Sequence, residues 1–207
     1  MVDSRLLGNY APSEGGGILI DSTSIFINGS EISDNTTDVN GGGIKIGGST
    51  AVILNSTLSG NHAASAGGGF SLVGTGFVYF IHSTITANTV TNQTRSAGIF
   101  FANDGNVHLI GTILAENNTT GDNDDCFSFA TPTITSGGYN LIGVNNGCSG
   151  FFTADPTDIV GTSASPETAD LEALADNDGP DSPTTTPQTH EATVASANVW
   201  EAIPSAT

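Results

Sequence analysis

The amino-acid sequence predicts an all-β fold, a right-handed parallel β-helix (β-solenoid) in which short strands coil around one axis. Three observations support this prediction. Marker residues recur about every 26 residues, the apolar runs are short and rich in β-branched and aromatic residues, and glycine is abundant. A period of this length with strand-like content is typical of a solenoid in which each repeat forms one coil.

The period can be read from two independent markers. The third glycine of each triplet, or its equivalent, stands at Gly17, Gly43, Gly69 and Gly98, with spacings of 26, 26 and 29. The asparagine that closes each repeat stands at Asn9, Asn35, Asn61, Asn88 and Asn117, with spacings of 26, 26, 27 and 29. Both series lengthen over the same stretch, which predicts one coil per repeat and a loop insertion at residues 92–95.

Each repeat is predicted to contain two strands followed by a Ser/Thr-rich turn. Runs such as Ile18–Ile20 and Phe77–Ile81 are bounded by Gly, Asn, Asp and Ser, as strands commonly are. No window shows a sustained apolar period of 3.6 residues, and each of the 27 glycines would cost a helix about 1 kcal/mol. The coils are therefore expected to consist of strands and turns alone.

Stacked coils place equivalent residues above one another, at a strand spacing of roughly 4.8 Å. We expect an inward aliphatic ladder three residues before each closing asparagine, at Leu6, Ile32, Leu58, Ile85 and Leu114. We expect an asparagine ladder as well, because side-chain amides can donate and accept hydrogen bonds along the stack. The glycines are expected to permit a positive φ at the corner before the first strand.

Two regions are predicted along the chain. Residues 1–150 form the β-helix, which opens in mid-repeat because residues 4–9 match the last third of a repeat, residues 56–61. This start predicts either a piece of a longer solenoid or a first coil that another molecule covers. Residues 151–207, rich in Ser, Thr, Pro, Asp and Ala, are predicted to form an irregular coil and a tail that caps the C-terminal end. A disordered linker is the alternative for this tail.

The composition excludes some classes of partner. Three strong bases against 21 acids give a formal net charge of −18, which opposes binding to nucleic acid or to an anionic membrane by charge. No run approaches the roughly 20 apolar residues that a membrane span requires. Cys126 and Cys148 are predicted to form a disulfide, with two reduced thiols as the alternative. A disulfide implies an oxidising compartment and favours an extracellular or cell-surface location.

Two acidic turns are candidate calcium loops, because they alternate side-chain oxygens around a turn or a glycine as hard-cation sites do. The candidate ligands are Asp122, Asp124, Asp125, Asp176, Asp178 and Asp181. Neither turn matches a complete EF-hand loop, so a solvated acidic turn is the alternative. Calcium is the one cofactor that the sequence suggests.

Catalysis is not predicted. A polysaccharide lyase needs a base beside a neutralised uronate, but Arg5, Lys45 and Arg95 lie in different repeats at non-equivalent positions. A glycosidase needs two acids about 5–9.5 Å apart in a groove, whereas the acidic clusters here resemble solvated loops. His82 and His108 are 26 residues apart and are expected to lie near each other on adjacent coils, where a structural role is the more common one.

Several motifs carry a resemblance to a bacterial family. These are Gly-Gly-Gly-Ile, residues 55–61, residues 112–117, the run Gly-Tyr-Asn-Leu-Ile-Gly between the two cysteines, and residues 171–180 and 189–197. Together they are similar to right-handed parallel β-helix proteins that end in a choice-of-anchor (type Q-like) region. The repeats also resemble those of polymorphic outer-membrane proteins. The resemblance implies secretion or surface display and no defined activity; Asp178 replaces a usual glycine, and residues 199–201 depart from the usual ending.

The sequence therefore predicts a secreted or cell-surface structural solenoid. It is expected either to associate with itself head to tail into a fibre, by strand pairing between its first coil and the last coils of the next copy, or to form part of a longer surface protein. The alternative is a carbohydrate-binding or adhesin module that uses aromatic residues on an outward face. The candidates are Phe77, Tyr79, Phe100 and Phe101, of which at least half are expected in the core.

Two further alternatives are less favoured, a polysaccharide-active enzyme and an ice-binding protein. An ice-binding face needs regular hydroxyls on a flat sheet. One rough row is expected from Ser30, Thr57, Thr84 and Thr112, joined by Ser59 and Thr86. The neighbouring Glu31 and Glu116 interrupt the regular two-column array that such a face requires.

Overall fold

The structure is a computed structural model that describes residues 1–92, 94–119, 125–173, 175 and 189–190. Within these ranges it contains 23 strands and no helix. All pairings between these strands are parallel, so the predicted parallel β-solenoid is confirmed. Among the described residues, no helix has the length and hydropathy that crossing a membrane would demand.

The strands follow one another in short steps along the chain. In order they are β1 (Arg5–Leu7), β2 (Tyr10–Ala11), β3 (Ile18–Ile20), β4 (Ile25–Asn28), β5 (Glu31–Ser33), β6 (Thr36–Thr37), β7 (Ile44–Ile46), β8 (Thr50–Leu54), β9 (Thr57–Ser59), β10 (His62–Ala63), β11 (Phe70–Leu72), β12 (Phe77–Ile81), β13 (Thr84–Thr86), β14 (Thr89–Val90), β15 (Ile99–Phe101), β16 (Asn106–Ile110), β17 (Ile113–Leu114), β18 (Asn118–Thr119), β19 (Cys126–Ser128), β20 (Thr133–Ser136), β21 (Leu141–Ile142), β22 (Phe152–Thr153) and β23 (Ile159–Val160).

Each complete coil contributes one strand to each of four sheets. Sheet 1 contains β3, β7, β11, β15 and β19, and sheet 2 contains β4, β8, β12, β16, β20 and β22. Sheet 3 contains β1, β5, β9, β13, β17, β21 and β23, and sheet 4 contains β2, β6, β10, β14 and β18. The sequence predicted two strands per repeat. The structure has four, because the Ser/Thr-rich segment and the residues after the asparagine also pair with equivalent backbone in the neighbouring coils.

The core lies inside the coils and is built by alternation along the strands. In β12, Val78 and Phe80 are buried while Phe77 and Tyr79 are exposed, as the two-residue period of a strand requires. The predicted aliphatic ladder is present in sheet 3. Its pairs run Leu6 to Ile32, Ile32 to Leu58, Leu58 to Ile85 and Ile85 to Leu114, and the column continues through Ile142 to Val160.

The sequence predicted that the tail wraps or caps the C-terminal end of the solenoid. In the structure, β22 and β23 add the last strands to sheets 2 and 3, and residues 169–171 and 189–190 lie along the side of the stack. Ala169 and Leu171 pack against Leu141 on the outer face of sheet 3, and His190 Nε2 lies 2.7 Å from Ser59 Oγ in a much earlier coil. The outer face of sheet 3 carries apolar residues near β17 and β21, so covering it removes apolar surface from water.

Candidate functional site

The asparagine ladder is the most regular polar feature of the solenoid. The backbone N–H and the Nδ2 of Asn35 both donate to Asn61 Oδ1 at 3.0 Å, and those of Asn61 donate to Asn88 Oδ1 at 3.0 and 2.9 Å. Asn9 and Asn117 continue this geometry at the two ends of the ladder. From Asn35 onward each Nδ2 also donates to a carbonyl one coil earlier, as Asn61 does to Ile32 O at 2.9 Å, whereas Asn9 Nδ2 donates to Leu7 O in its own coil. Because every interior amide is fully paired, it can be buried without an unsatisfied group.

The ladder explains the third glycine of each repeat. A Cβ on Gly43 would lie 2.6 Å from Gly69 O and 3.0 Å from Asn61 Nδ2, and Gly17, Gly69 and Gly98 meet their coil neighbours similarly. The expected positive φ is absent at these four glycines and occurs instead at the first glycine of the triplets, for example φ +72 at Gly41. The expected positive φ before the first strand is therefore supplied by the first glycine of each triplet, whereas the marker glycines are required because the asparagine ladder leaves no space for a side chain.

A second polar ladder was missed by the sequence reasoning. We call it the serine ladder; its hydrogen bonds link Ser4, Ser30, Ser56 and Ser83 in one run and Thr112 with Asn140 in a second, at equivalent positions of the coils. The backbone N–H of Ser30 donates to Ser56 Oγ at 3.1 Å, and that of Thr112 donates to Asn140 Oδ1 at 2.9 Å. The signal was available, because a Ser or Thr stands five residues before each closing asparagine.

The serine ladder also corrects the expected hydroxyl row. Ser30 aligns with Ser56, whereas Thr57 pairs with Glu31 on one side and Thr84 on the other. The predicted row is therefore correct at Thr57 and Thr84, which pair directly, and wrong by one residue at Ser30 and Thr112. A shift of one residue exchanges one face of a strand for the other. Thr57, Ser59 and Thr86 do lie on the outer face of sheet 3, but all three are buried. No flat hydroxyl array is exposed on the described part of this sheet.

Both polar ladders end in a carboxylate. Asp125 Oδ1 accepts the backbone N–H and the Nδ2 of Asn117, each at 2.9 Å, and Asp125 Oδ2 accepts the N–H of Val144 at 2.8 Å. Asp158 Oδ1 accepts the equivalent two donors of Asn140 at 3.0 and 2.9 Å. An aspartate side chain accepts the same two hydrogen bonds that the Oδ1 of another asparagine would accept. It has no side-chain N–H with which to donate to a further coil, so the ladders stop at Asp125 and Asp158.

Burial raises the pKa of Asp125 to about 7, although the donors from Asn117 and Val144 oppose this shift. A carboxyl whose pKa is higher in the folded state stabilises the protein most below its unfolded pKa, and that contribution is lost as the pH rises through about 7. We expect the stability gap between wild type and Asp125→Asn to be largest near pH 4 and to narrow by pH 8. Denaturant unfolding at both pH values measures it.

In Asp125→Asn, one of the three N–H groups that now donate to the carboxylate loses its acceptor. The reason is that the asparagine amide offers one oxygen where the carboxylate offers two. The exposed Asp34→Asn serves as control for the loss of one negative charge. A gap that stays constant with pH would contradict the assignment of a raised pKa to Asp125.

The candidate calcium ligands are not brought together in the described part of the chain. Asp125 is buried and its two oxygens accept hydrogen bonds from Asn117 and Val144. The other five candidates lie outside the described residues, namely Asp122, Asp124, Asp176, Asp178 and Asp181. Among the described residues no group of three or more His, Cys, Asp or Glu side chains has a geometry that would hold a metal ion.

The predicted disulfide between Cys126 and Cys148 is confirmed. Cys126 opens β19 and pairs with Ile99, and both cysteines are buried in the core cluster. The bond attaches the last strand of sheet 1 to the irregular loop that follows β21. A closed loop of this size contributes on the order of 3 kcal/mol in the chain-entropy model.

The three strong bases do not converge on one site. Arg5 Nε lies 2.7 Å from Glu31 Oε2, and Lys45 Nζ lies 2.7 Å from Asp21 Oδ1 and 3.1 Å from Glu14 Oε2. Arg95 instead places its guanidinium carbon 3.9 Å from the centre of the Phe129 ring.

The two histidines are also separate. His108 pairs with Tyr79 in the sheet register, while His82 occupies a corner with φ +48 beside Gly111. The expected pairing of His82 with His108 was therefore wrong, because the loop insertion shifts the register by three residues. Two carboxylates do gather at Lys45, those of Glu14 and Asp21, where both form ion pairs with its ammonium group.

The four aromatic candidates divide between the surface and the interior. Phe77 and Tyr79 are 51% and 37% exposed on the outer face of sheet 2. Phe100 and Phe101 are 2% and 0% exposed, and Phe100 makes an edge contact with Phe129 at 5.6 Å between ring centres. Only Phe77 and Tyr79 are available to a partner.

One end of the stack is formed by residues 1–3 and by the unpaired sides of β1, β2 and β3, and it differs from the end where the ladders stop. We call it the first-coil edge; β1, β2 and β3 each have a partner strand on one side only, and residues 1–3 pair with the side of β4 that faces away from β8. Exposed apolar side chains are concentrated near it, at Val2, Leu7, Tyr10, Leu19 and Phe26. Within the described residues, Asn9 Oδ1 accepts no hydrogen bond, although Asn35 Oδ1 accepts two.

No family model, no curated protein and no solved structure matches this chain.

Proposed function

We propose that this chain is a structural β-solenoid of the cell surface or the extracellular space, joined end to end with further β-solenoid coils through its first-coil edge. The observation that carries the proposal is the first-coil edge itself, where β1, β2 and β3 have unpaired sides beside exposed apolar side chains. An unpaired edge of this kind is a template for strand pairing with another chain or segment.

The geometry of the polar ladders supports the proposal that the partner of the first-coil edge is a coil with the same sequence repeat. In the stack, each asparagine donates two N–H groups to the Oδ1 of the next coil, so Asn9 Oδ1 is the acceptor position for one more coil. The serine ladder repeats this arrangement at Ser4, whose N–H already donates to Ser30 Oγ at 3.3 Å. A coil that carries Asn and Ser five residues apart therefore matches the first-coil edge in both polar columns.

The far end of the stack is a less complete match. Asp125 and Asp158 end the two ladders, and their oxygens already accept donors from the asparagine before them and from a nearby turn. A head-to-tail fibre of identical copies is therefore held by backbone pairing and apolar contact, without the ladder bonds. A neighbouring segment with the same repeat would add those bonds.

The confirmed disulfide supports the proposed location, because disulfides persist in oxidising compartments. The net charge of −18 supports it further, since strong like charge keeps a stiff repeat protein hydrated and separated from anionic surfaces. Function in this proposal comes from length and stiffness, and no bond-making chemistry is assigned to the chain.

Leu19→Pro tests the proposal at one backbone group. Ile18 N–H and Ile20 O bond the next coil, so the N–H of Leu19 points to the open side of the first-coil edge. Proline removes that donor while Leu19→Ala keeps it. We expect sedimentation velocity of wild type and Leu19→Ala to show assemblies that grow with concentration, and Leu19→Pro to remain monomeric.

A second arm identifies the source of the partner coil. If wild type is monomeric at all concentrations, a fusion that places one additional repeat on the first-coil edge is expected to slow hydrogen exchange at the outward amides of β1, β2 and β3. Assembly of wild type identifies a second copy as the partner, whereas protection only in the fusion identifies an adjacent segment. Neither assembly nor protection would contradict the proposed function.

A further inference from the structure

A shallow depression lies on the outer face of sheet 2, away from the first-coil edge. Its rings come from Phe77 and Tyr79 on β12, and its polar rim comes from Asn106 and His108 on β16 and from Thr133 and Thr135 on β20. The volume is about 250 Å³. We call it the aromatic depression.

We propose that the aromatic depression binds a neutral carbohydrate. In a chain with 21 acids, the described residues that line it include no Asp, Glu, Lys or Arg. Exposed aromatic rings stack on the apolar C–H faces of sugars, and amide, imidazole and hydroxyl groups bond their hydroxyls. A neutral polyhydroxylated ligand uses both kinds of group and gains nothing from charge.

The polar groups are held ready for a ligand. His108 Nδ1 lies 2.7 Å from Thr135 Oγ1, which sets the plane of the imidazole, and the ring meets that of Tyr79 edge-on at 6.0 Å between centres. Among the described residues, His108 Nε2 has no hydrogen-bond partner. This nitrogen is thus available to a sugar hydroxyl at the edge of the stacked ring.

The sheet beneath the depression is rigid, which reduces the entropy lost on binding. β12 pairs with β8 and β16, and β16 pairs with β20, so every strand that lines the depression is held by the sheet. The inward residues Val78, Phe80, Val107 and Leu109 are buried. Two rings fixed on such a platform keep their positions without a ligand.

The size of the depression favours a sugar over a protein partner. A stable protein interface buries about 800 Å² on each side and involves about 20–30 residues. The aromatic depression has eight lining residues, of which only Phe77 and Tyr79 are exposed large hydrophobics.

Titration of the full chain with neutral hexasaccharides of glucose, xylose, mannose and N-acetylglucosamine, followed by NMR, tests the proposal. We expect at least one to bind and to shift the amide signals of β12, β16 and β20. Phe77→Ala and Tyr79→Ala are each expected to weaken that binding at least about tenfold. His108→Ala is expected to weaken it less, because one hydrogen bond is lost and the rings remain.

Tyr139→Ala is the matched control, since Tyr139 is also exposed and lies outside the aromatic depression. Thermal unfolding verifies that each variant folds, which is expected because Phe77 and Tyr79 point away from the core. Absence of binding to wild type by all four sugars overturns the proposal. Binding that the double variant Phe77→Ala, Tyr79→Ala leaves unchanged overturns it as well, while either result leaves the end-to-end proposal intact.

Discussion

Asn61→Ala is expected to lower the free energy of unfolding by about 3–5 kcal/mol, because it opens the asparagine ladder in the middle of the stack. The side chain of Asn61 accepts two hydrogen bonds from Asn35 and donates one each to Ile32 O and Asn88 Oδ1. Alanine leaves these partners buried without a substitute. Equilibrium denaturation in urea measures the loss.

The exposed Asn103→Ala is the control for Asn61→Ala and is expected to change stability by less than about 0.5 kcal/mol. Asn61→Asp is expected to be as harmful as alanine, because its second oxygen would face Ile32 O and Asn88 Oδ1 where Nδ2 now donates. If Asn61→Ala were as mild as the control, the ladder would not be what holds neighbouring coils in register.

Gly43→Ala is expected to destabilise the fold by about 3 kcal/mol or more through steric overlap. The added Cβ would lie 2.6 Å from Gly69 O, a backbone atom of the next coil that cannot rotate away. The neighbouring Asn61 Nδ2, at 3.0 Å, would also have to move and would weaken its own hydrogen bonds. The change therefore spreads the coils and disturbs the asparagine ladder together.

Gly150→Ala is the matched control for Gly43→Ala. A Cβ on Gly150 meets nothing within 4 Å, and its backbone lies outside the positive-φ region. We expect this variant to unfold at the same denaturant concentration as wild type, or slightly higher, since alanine restricts the unfolded chain more than glycine. Equal effects of the two substitutions would show that the third glycine is not required for space.

The sequence repeat predicted how the coils stack, because in a solenoid residues that are one period apart in the sequence lie at equivalent positions in adjacent coils. The spacing of Leu58 and Ile85 became a sheet register, and the spacing of the asparagines became a ladder of hydrogen bonds. The disulfide was also predictable, since two cysteines allow one pairing within a chain. These features depend on which residues recur, and they depend very little on the conformation of the chain between the recurring residues.

Other features depended on where each corner turns, which the period does not specify. The hydroxyl row was wrong by one residue at Ser30 and Thr112 because both lie at the corner before sheet 3, whereas Thr57 and Thr84 already open β9 and β13. The pairing of His82 with His108 failed because the coil between them is longer than 26 residues. An error of one to three residues leaves a ladder prediction intact but moves a surface side chain to another face.

By itself the sequence determined the coil length, the inward aliphatic ladder and the asparagine ladder, because each of these repeats identically and needs only a neighbour one period away. Only the tertiary structure decided that two ladders end at Asp125 and Asp158, that the tail lies along sheet 3, and that Phe77 and Tyr79 face outward together. These features join residues from unlike positions in different coils, so they follow from three-dimensional packing, which no single period encodes.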